Sequence, residues 1–282
     1  MGDKRLPETI RMKYGVDTVD EMWYKMLTEG NWNIRNRRPL HGRLPSNPRC
    51  VNCHIPFEGI GGVLLRRLYG ADRADPSSKN PRYCSACHGF VEAFPGGAEV
   101  ELTMLFVDVR GSTTIAEKMS PSDFSQLMNE FYDAVITVLV REHAFIDKLV
   151  GDEVTALFIP GFAGSEHARR AVRAGQRLLE VTGHGRAEGP WIPVGVGVHT
   201  GTAWVGSIVG AGGEGADFTA LGDNVNIAAR LASEAGPGEV LVSQMAMEAA
   251  GYDTAGMHRR SLALKGKKIS TNTFVLKHED GN

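Results

Sequence analysis

Apolar positions along this chain follow two different periods, and their order sketches a fold. The run from Leu102 to Val109 is nearly all apolar and reads as a buried strand. Phe124, Leu127, Met128, Phe131, Val135 and Val138 then recur at helical spacing, and two short apolar strands flank the turn Gly151-Asp152. Another helix is expected over roughly Gly164 to Thr182, with Ser165 as its N-cap. Val194, Val196 and Val198 alternate with Gly195, Gly197 and His199, and Gly201 then precedes a second β-rich run, so a strand hairpin is expected. A helix from about Asn224 to Ala235 is stopped by Gly236-Pro237-Gly238, and strands near Val240 and Phe274 follow. Strand, helix, two strands, helix and strand in this order predict a ferredoxin-like α/β sandwich with additions.

Upstream the pattern differs. One amphipathic helix is expected around Val16 to Thr28, with Met22, Trp23, Met26 and Leu27 as its apolar stripe. An Arg/Asn/Pro-rich connector follows. Next come all four cysteines, in two pairs separated by what reads as a loop rich in Gly, Arg, Pro and Ser. Such a segment buries little apolar surface and needs a staple. The expected division is an N-terminal helix and linker over 1–45, a small metal-binding module built on the four cysteines over 46–96 and a larger α/β domain over 97–282.

A net charge of −2 over 282 residues, with no basic arm or acidic tail, points to no charged polymer as partner. The polar start of the chain lacks the apolar stretch of a signal peptide, and Leu6 stands where myristoylation wants Ser or Thr. Trp191 to Gly213 carries no Lys, Arg, Asp or Glu, but its glycines and Pro193 argue against a membrane span. A cytoplasmic protein is expected.

Cys50 with Cys53, and Cys84 with Cys87, form two Cys-x-x-Cys pairs that read as a four-thiolate structural zinc site. The same ligand count suits an iron–sulfur cluster. His54 and His88 also complete two Cys-x-x-Cys-His haem-attachment motifs, and disulfides are a further alternative. The module reads either as a clamp or as a sensor. Arg66, Arg67, Arg73 and Arg82 read as a solvated face, so nucleic acid is not expected.

The chemistry gathers in three places. The strand Leu102 to Val109 carries Asp108 near its end and runs into Gly111-Ser112-Thr113, a turn whose backbone N–H groups, opening a helix, offer a cradle for phosphate. Asp152 sits at a hairpin tip. A strand end beside such a tip brings two acids within reach of the same ions, and hard oxygen ligands of this kind suit magnesium holding a triphosphate. Asn226 and Arg230, four residues apart, share one helical face.

These three elements, in this order, resemble the catalytic domain of class III adenylyl and guanylyl cyclases over about residues 98 to 278. The resemblance implies that Asp108 and Asp152 bind two Mg2+ (or Mn2+) ions per active site, with the Val109 carbonyl as a further ligand. It implies that Asn226 positions the ribose and Arg230 stabilises the transition state. Lys148 falls where the family reads adenine, and Thr219 where many members carry Asp and one soluble subclass carries Thr. A Thr hydroxyl accepts from the adenine amino group while Lys148 donates to ring N1; guanine inverts that pattern, so ATP is the expected substrate. Lys265 or Lys267, in Leu264-Lys-Gly-Lys-Lys268, resembles the stretch that reaches the terminal phosphates.

The family places each site at a dimer interface, and this chain carries both halves of the residue set, which implies a homodimer with two shared sites making cyclic AMP and pyrophosphate. The alternatives are a non-catalytic cyclase-like dimerisation or sensing module and a cyclase of GTP specificity. The Thr-bearing subclass is associated with bicarbonate stimulation, which is a hypothesis for this chain.

Overall fold

A computed structural model describes residues 5–30, 36–45, 47–208, 217–262 and 271–278. The chain forms two compact units, one made of Met1–Val100, Ile159–Gly164 and Thr202–Leu221, the other of Glu101–Phe158, Ser165–Gly201 and Gly222–Asn282. Helices α1 (Glu8–Tyr14), α2 (Val19–Thr28), α3 (Arg38–Arg43), α4 (Gly59–Tyr69), α5 (Ala71–Ala74) and α6 (Ser85–Ala93) come first. Then follow β1 (Gly96–Val109), α7 (Ser112–Glu117), α8 (Pro121–Arg141), β2 (Phe145–Val150), β3 (Glu153–Phe158), α9 (Pro160–Ala163) and α10 (His167–Val181). The chain continues through β4 (Val194–Ile208), β5 (Asp217–Leu221), α11 (Asp223–Glu234), β6 (Glu239–Ser243), α12 (Gln244–Ala250), β7 (Arg259–Leu262) and β8 (Thr271–Leu276). One mixed sheet runs in the order β2-β3-β1-β4-β6-β8-β7, with β5 pairing β4 off that path. This is the expected α/β fold.

In the first unit, α2 begins at Val19 because Thr18 and Glu21 form a capping box, each side chain accepting from the other's backbone N–H at 3.2 Å. Met22, Trp23, Met26 and Leu27 are all buried, as the stripe predicts. Trp23 meets Phe90 edge-on at 5.6 Å, stacks on Phe218 at 5.5 Å and donates its indole N–H to the Phe94 carbonyl at 2.9 Å. The segment between the cysteine pairs is α4 and α5 rather than the expected loop. Its Gly61 and Gly62 do not break the helix because they meet Pro56, Leu44 and the Phe57 backbone, where a Cβ at 62 would come within 2.8 Å.

In the second unit, α8 buries Met128, Phe131, Val135 and Val138. Buried Glu142, just past its end, accepts from Arg173 at 3.0 Å and Arg177 at 2.5 Å on α10. Helix α10 starts at His167 rather than at a Ser165 cap, because Gly164 turns in the left-handed region after the short helix α9 and the Glu166 carbonyl accepts from Arg170 N–H at 2.9 Å.

Val194 to Ile208 is one unbroken strand, so the expected hairpin does not turn at Gly201; its second strand is β5, paired antiparallel to β4 from Trp204 with Leu221 to Ile208 with Asp217. The glycines there are packing residues. A Cβ at Gly197 would lie 2.2 Å from the Ala232 backbone N, one at Gly195 would lie 2.8 Å from the Ala235 carbonyl, and one at Gly201 would lie 2.5 Å from the Asn224 side chain. Alternate glycines thus clear one face of β4 for α11, whose Ala228, Leu231 and Ala232 are buried against it. A Gly197→Ala substitution is expected to lower unfolding free energy by about 1–3 kcal/mol, since the blocking atoms are backbone and cannot rotate away; urea titration checks this.

Candidate functional site

Asp108 lies one residue from the end of β1 and is paired in register with Glu153 at the start of β3. The adjacent β2–β3 tip, turned by Gly151 at φ 60°, presents Asp152 beside it. Val109 N–H donates to the Asp152 carbonyl at 3.1 Å, so the strand end and the hairpin tip are tied backbone to backbone. The two acids are therefore neighbours at this end of the sheet. Gly111, also left-handed at φ 71°, is the N-cap of α7, and no side chain caps that helix start.

Each carboxylate has a local partner. The Arg110 guanidinium donates to Asp108, and the Ser112 hydroxyl donates to Asp152. Burial pushes the Asp108 carboxyl above the ordinary range against the opposing pull of Arg110, and the negative charge of Asp152 pushes the same way. Glu153 is raised by burial and by the charges of Asp108 and Asp152. Crowded acids of this kind favour a cation beside them.

Helix α11 exposes Asn226 and half-buries Arg230 on the side opposite to Ala228, Leu231 and Ala232. Its position is fixed by more than glycine clearance. Buried His199 on β4 bonds the Asn224 side chain at 2.9 Å and the Ser243 hydroxyl at 2.8 Å, and Arg110 donates to the Ser233 carbonyl at 3.0 Å. Lys148 is on β2, at the edge of the sheet, with its Nζ 3.1 Å from the buried Asp147 carboxylate. Thr219 is buried in β5, opposite Gly206 of β4. Lys265 and Lys267 lie outside the described residues.

The four cysteines meet at one point in the first unit: their Sγ atoms all lie within 4.8 Å of one another, with Cys53 and Cys84 at 3.6 Å. A single tetrahedral ion with metal–sulfur bonds of about 2.3 Å has sulfur–sulfur edges of about 3.8 Å, which this cluster fits. Thiolates holding a four-iron cluster stand further apart, and two haem-attachment pairs would each spread over a separate porphyrin. The Cys50–Cys53 turn is closed by His54 N–H donating to the Cys50 carbonyl at 2.9 Å, while Cys84 is the N-cap of α6 and Cys87 lies in its first turn. Burial pushes the Cys50 thiol up, but hydrogen bonds from the other three thiols outweigh it and hold Cys50 well below the usual range.

Sequence reasoning did not identify Arg110, His199 or Tyr132, whose hydroxyl donates to the Gly151 carbonyl at the hairpin tip. The Val-Gly-Val-Gly-Val-His run held a signal for His199, since alternate glycines mark the face on which a helix rests. Nothing local marks Tyr132 among the other half-buried positions of α8.

The model of the adenylate and guanylate cyclase catalytic domain matches residues 97–278. Adenylate cyclase 1 of Rhizobium meliloti (strain 1021) is 38% identical over 136 residues, 46% of this chain and 20% of that protein, so the match spans about a fifth of the curated relative. The crystal structure of the guanylyl cyclase Cya2 superposes with a TM-score of 0.57 at 26% identity, covering 64% of this chain and 93% of that one. The adenylyl cyclase CyaB from P. aeruginosa gives 0.55 at 27%, covering 64% and 96%. Among the described residues, no helix is long and apolar enough to cross a membrane.

Proposed function

Because the chain belongs to the adenylate and guanylate cyclase catalytic-domain family, we propose that it is a cytoplasmic adenylate cyclase, a homodimer converting ATP into 3′,5′-cyclic AMP and pyrophosphate. The observation that carries this reading is the convergence of Asp108 and Asp152, held together by the bond from Val109 N–H to the Asp152 carbonyl. The reading takes 1–45, 46–96 and 97–282 as divisions of the sequence rather than as separate folding units, with a structural zinc ion on Cys50, Cys53, Cys84 and Cys87.

Asp108, Asp152 and the Val109 carbonyl form a hard oxygen donor set that suits two Mg2+ or Mn2+ ions. Bound there, such ions acidify the ribose 3′-hydroxyl and neutralise the triphosphate. The chain's own residues bind and orient. Backbone N–H groups at Gly111, Ser112 and Thr113 receive phosphate oxygens, and Lys265 or Lys267 reaches the terminal phosphates. Asn226 bonds the ribose, aligning its 3′-oxygen with the α-phosphorus; the new P–O bond forms as the bond to pyrophosphate breaks. Arg230 meets the charge that grows on the α-phosphoryl oxygens.

A second copy is supported by the exposed face of α11 and by edge strand β2, which leaves Leu149 and Val150 exposed. Each site would draw its metal ligands from one subunit and Lys148, Thr219, Asn226 and Arg230 from the other. Lys148 donating to ring N1 and Thr219 accepting from the amino group favour adenine over guanine. The resemblance to Cya2 makes GTP the second reading.

Purified protein with Mg2+ or Mn2+ is expected to cyclise ATP with kcat/KM at least about tenfold above that for GTP. Chromatographic identification of both products checks this, and equal use or a GTP preference defeats the adenine assignment. Asp108→Ala and Arg230→Ala proteins are each expected to be inactive alone and to regain part of the activity on mixing; a mixture that stays dead while subunits exchange excludes shared sites. Millimolar Mn2+ is expected to raise the melting temperature of the wild type but not of Asp152→Asn, as followed by scanning fluorimetry. An equal rise in both proteins would remove Asp152 from the ligand set.

A further inference from the structure

The cysteine cluster is joined to β5 by two independent routes within the first unit. Tyr83, the residue before Cys84, is buried and donates its hydroxyl to Asp217 Oδ1 at 3.1 Å. The Tyr83 hydroxyl oxygen in turn accepts from Phe218 N–H at 3.4 Å, and Arg82 lies 3.7 Å from the Asp217 carboxylate. The second route starts at Arg38, which is 1% exposed. Its Nε donates to the Asn52 carbonyl, inside the Cys50–Cys53 turn, at 2.6 Å. Its guanidinium lies over the Phe162 ring at 5.3 Å, and Phe162 in turn stacks on Phe218 at 6.4 Å. Both routes end on the residues immediately before Thr219.

The charges match this arrangement. A divalent ion on four thiolates leaves a net charge of −2, and a buried guanidinium beside the cluster, together with the α6 N-terminus at Cys84, offsets it. Without the ion, the tie between the Cys50–Cys53 turn and the Cys84 segment would fall to the backbone bond in which Val51 N–H donates to the Arg82 carbonyl at 3.0 Å, so Asn52 and Tyr83 would be held less firmly.

We propose that a single metal ion held by Cys50, Cys53, Cys84 and Cys87 sets the position of β5 through Tyr83 and through the Arg38–Phe162–Phe218 stack, so that metal occupancy tunes recognition of the base. The effect on recognition rests on the assignment of Thr219 above; the ordering of β5 does not. Tyr83 is a positioning residue in this scheme, acting on Thr219 through Asp217 and Phe218.

The test uses the full chain. Elemental analysis is expected to find one zinc per chain in addition to any exchangeable Mg2+, and Co2+ replacing zinc is expected to give the intense visible bands of a tetrathiolate site. Stripping zinc, with Mg2+ then restored, is expected to raise KM for ATP on the order of fivefold, the worth of one hydrogen bond, with kcat nearly unchanged and with recovery on adding Zn2+. Tyr83→Phe is expected to keep its zinc yet show the same rise in KM and a reduced preference for ATP over GTP. Hydrogen exchange over residues 217–221 is expected to quicken in both the stripped protein and the variant, whatever the enzyme's activity. No tightly bound ion, several irons with labile sulfide, or unchanged exchange at β5 overturns the proposal. Faster exchange with an unchanged KM leaves the ordering of β5 in place and removes Thr219 from base recognition.

Discussion

The bond between Val109 N–H and the Asp152 carbonyl is the constraint from which the candidate site follows. It fastens the end of a central strand to the tip of the neighbouring hairpin, and in doing so forces two acids and Glu153 into one small region. Left to themselves these carboxylates repel one another, and burial adds to the cost, as the raised Asp108 and Glu153 groups record. Arg110 and Ser112 lessen that cost locally. The cluster is therefore a place where a cation would offset the mutual repulsion of these acids.

The other half of the residue set depends on clearance rather than charge. Helix α11 lies on β4 at van der Waals distance only because Gly195 and Gly197 have no side chains there, and His199 then sets its start through Asn224. With the inward face taken up by Ala228, Leu231 and Ala232, the helix has Asn226 and Arg230 left to present outward. Packing residues and candidate site residues thus occupy opposite sides of one twelve-residue helix.

Much of this was readable from the chain itself, where one local pattern determined one local outcome. The run Leu102 to Val109, the stripe on α2 and the two Cys-x-x-Cys pairs each carry enough periodicity or spacing to identify their element. Failures came where an element depends on distant partners. Gly201 reads as a turn because glycine commonly makes one, yet it is kept small by Asn224. The segment Gly59–Tyr69 reads as a loop from its glycines, but Phe57 and Pro56 press on them and support a helix. Arg110 could not be assigned because its partners, Asp108 and the Ser233 carbonyl, lie at very different separations along the chain.

The first unit limits how this protein can be dissected. Its apolar centre is shared between the amino-terminal helices and two short insertions from later in the chain, residues 159–164 and 202–221. Trp23 covers Phe218, Met26 carries its backbone against Gly161, and the Val91 carbonyl accepts from the Ser207 hydroxyl. Truncating the chain at the border of the family match would strip those aromatic faces bare and orphan the Ser207 hydroxyl. The amino-terminal third is thus a wall of the same building as β5, and the catalytic segment of this chain is not a detachable piece in the way that its sequence boundary suggests.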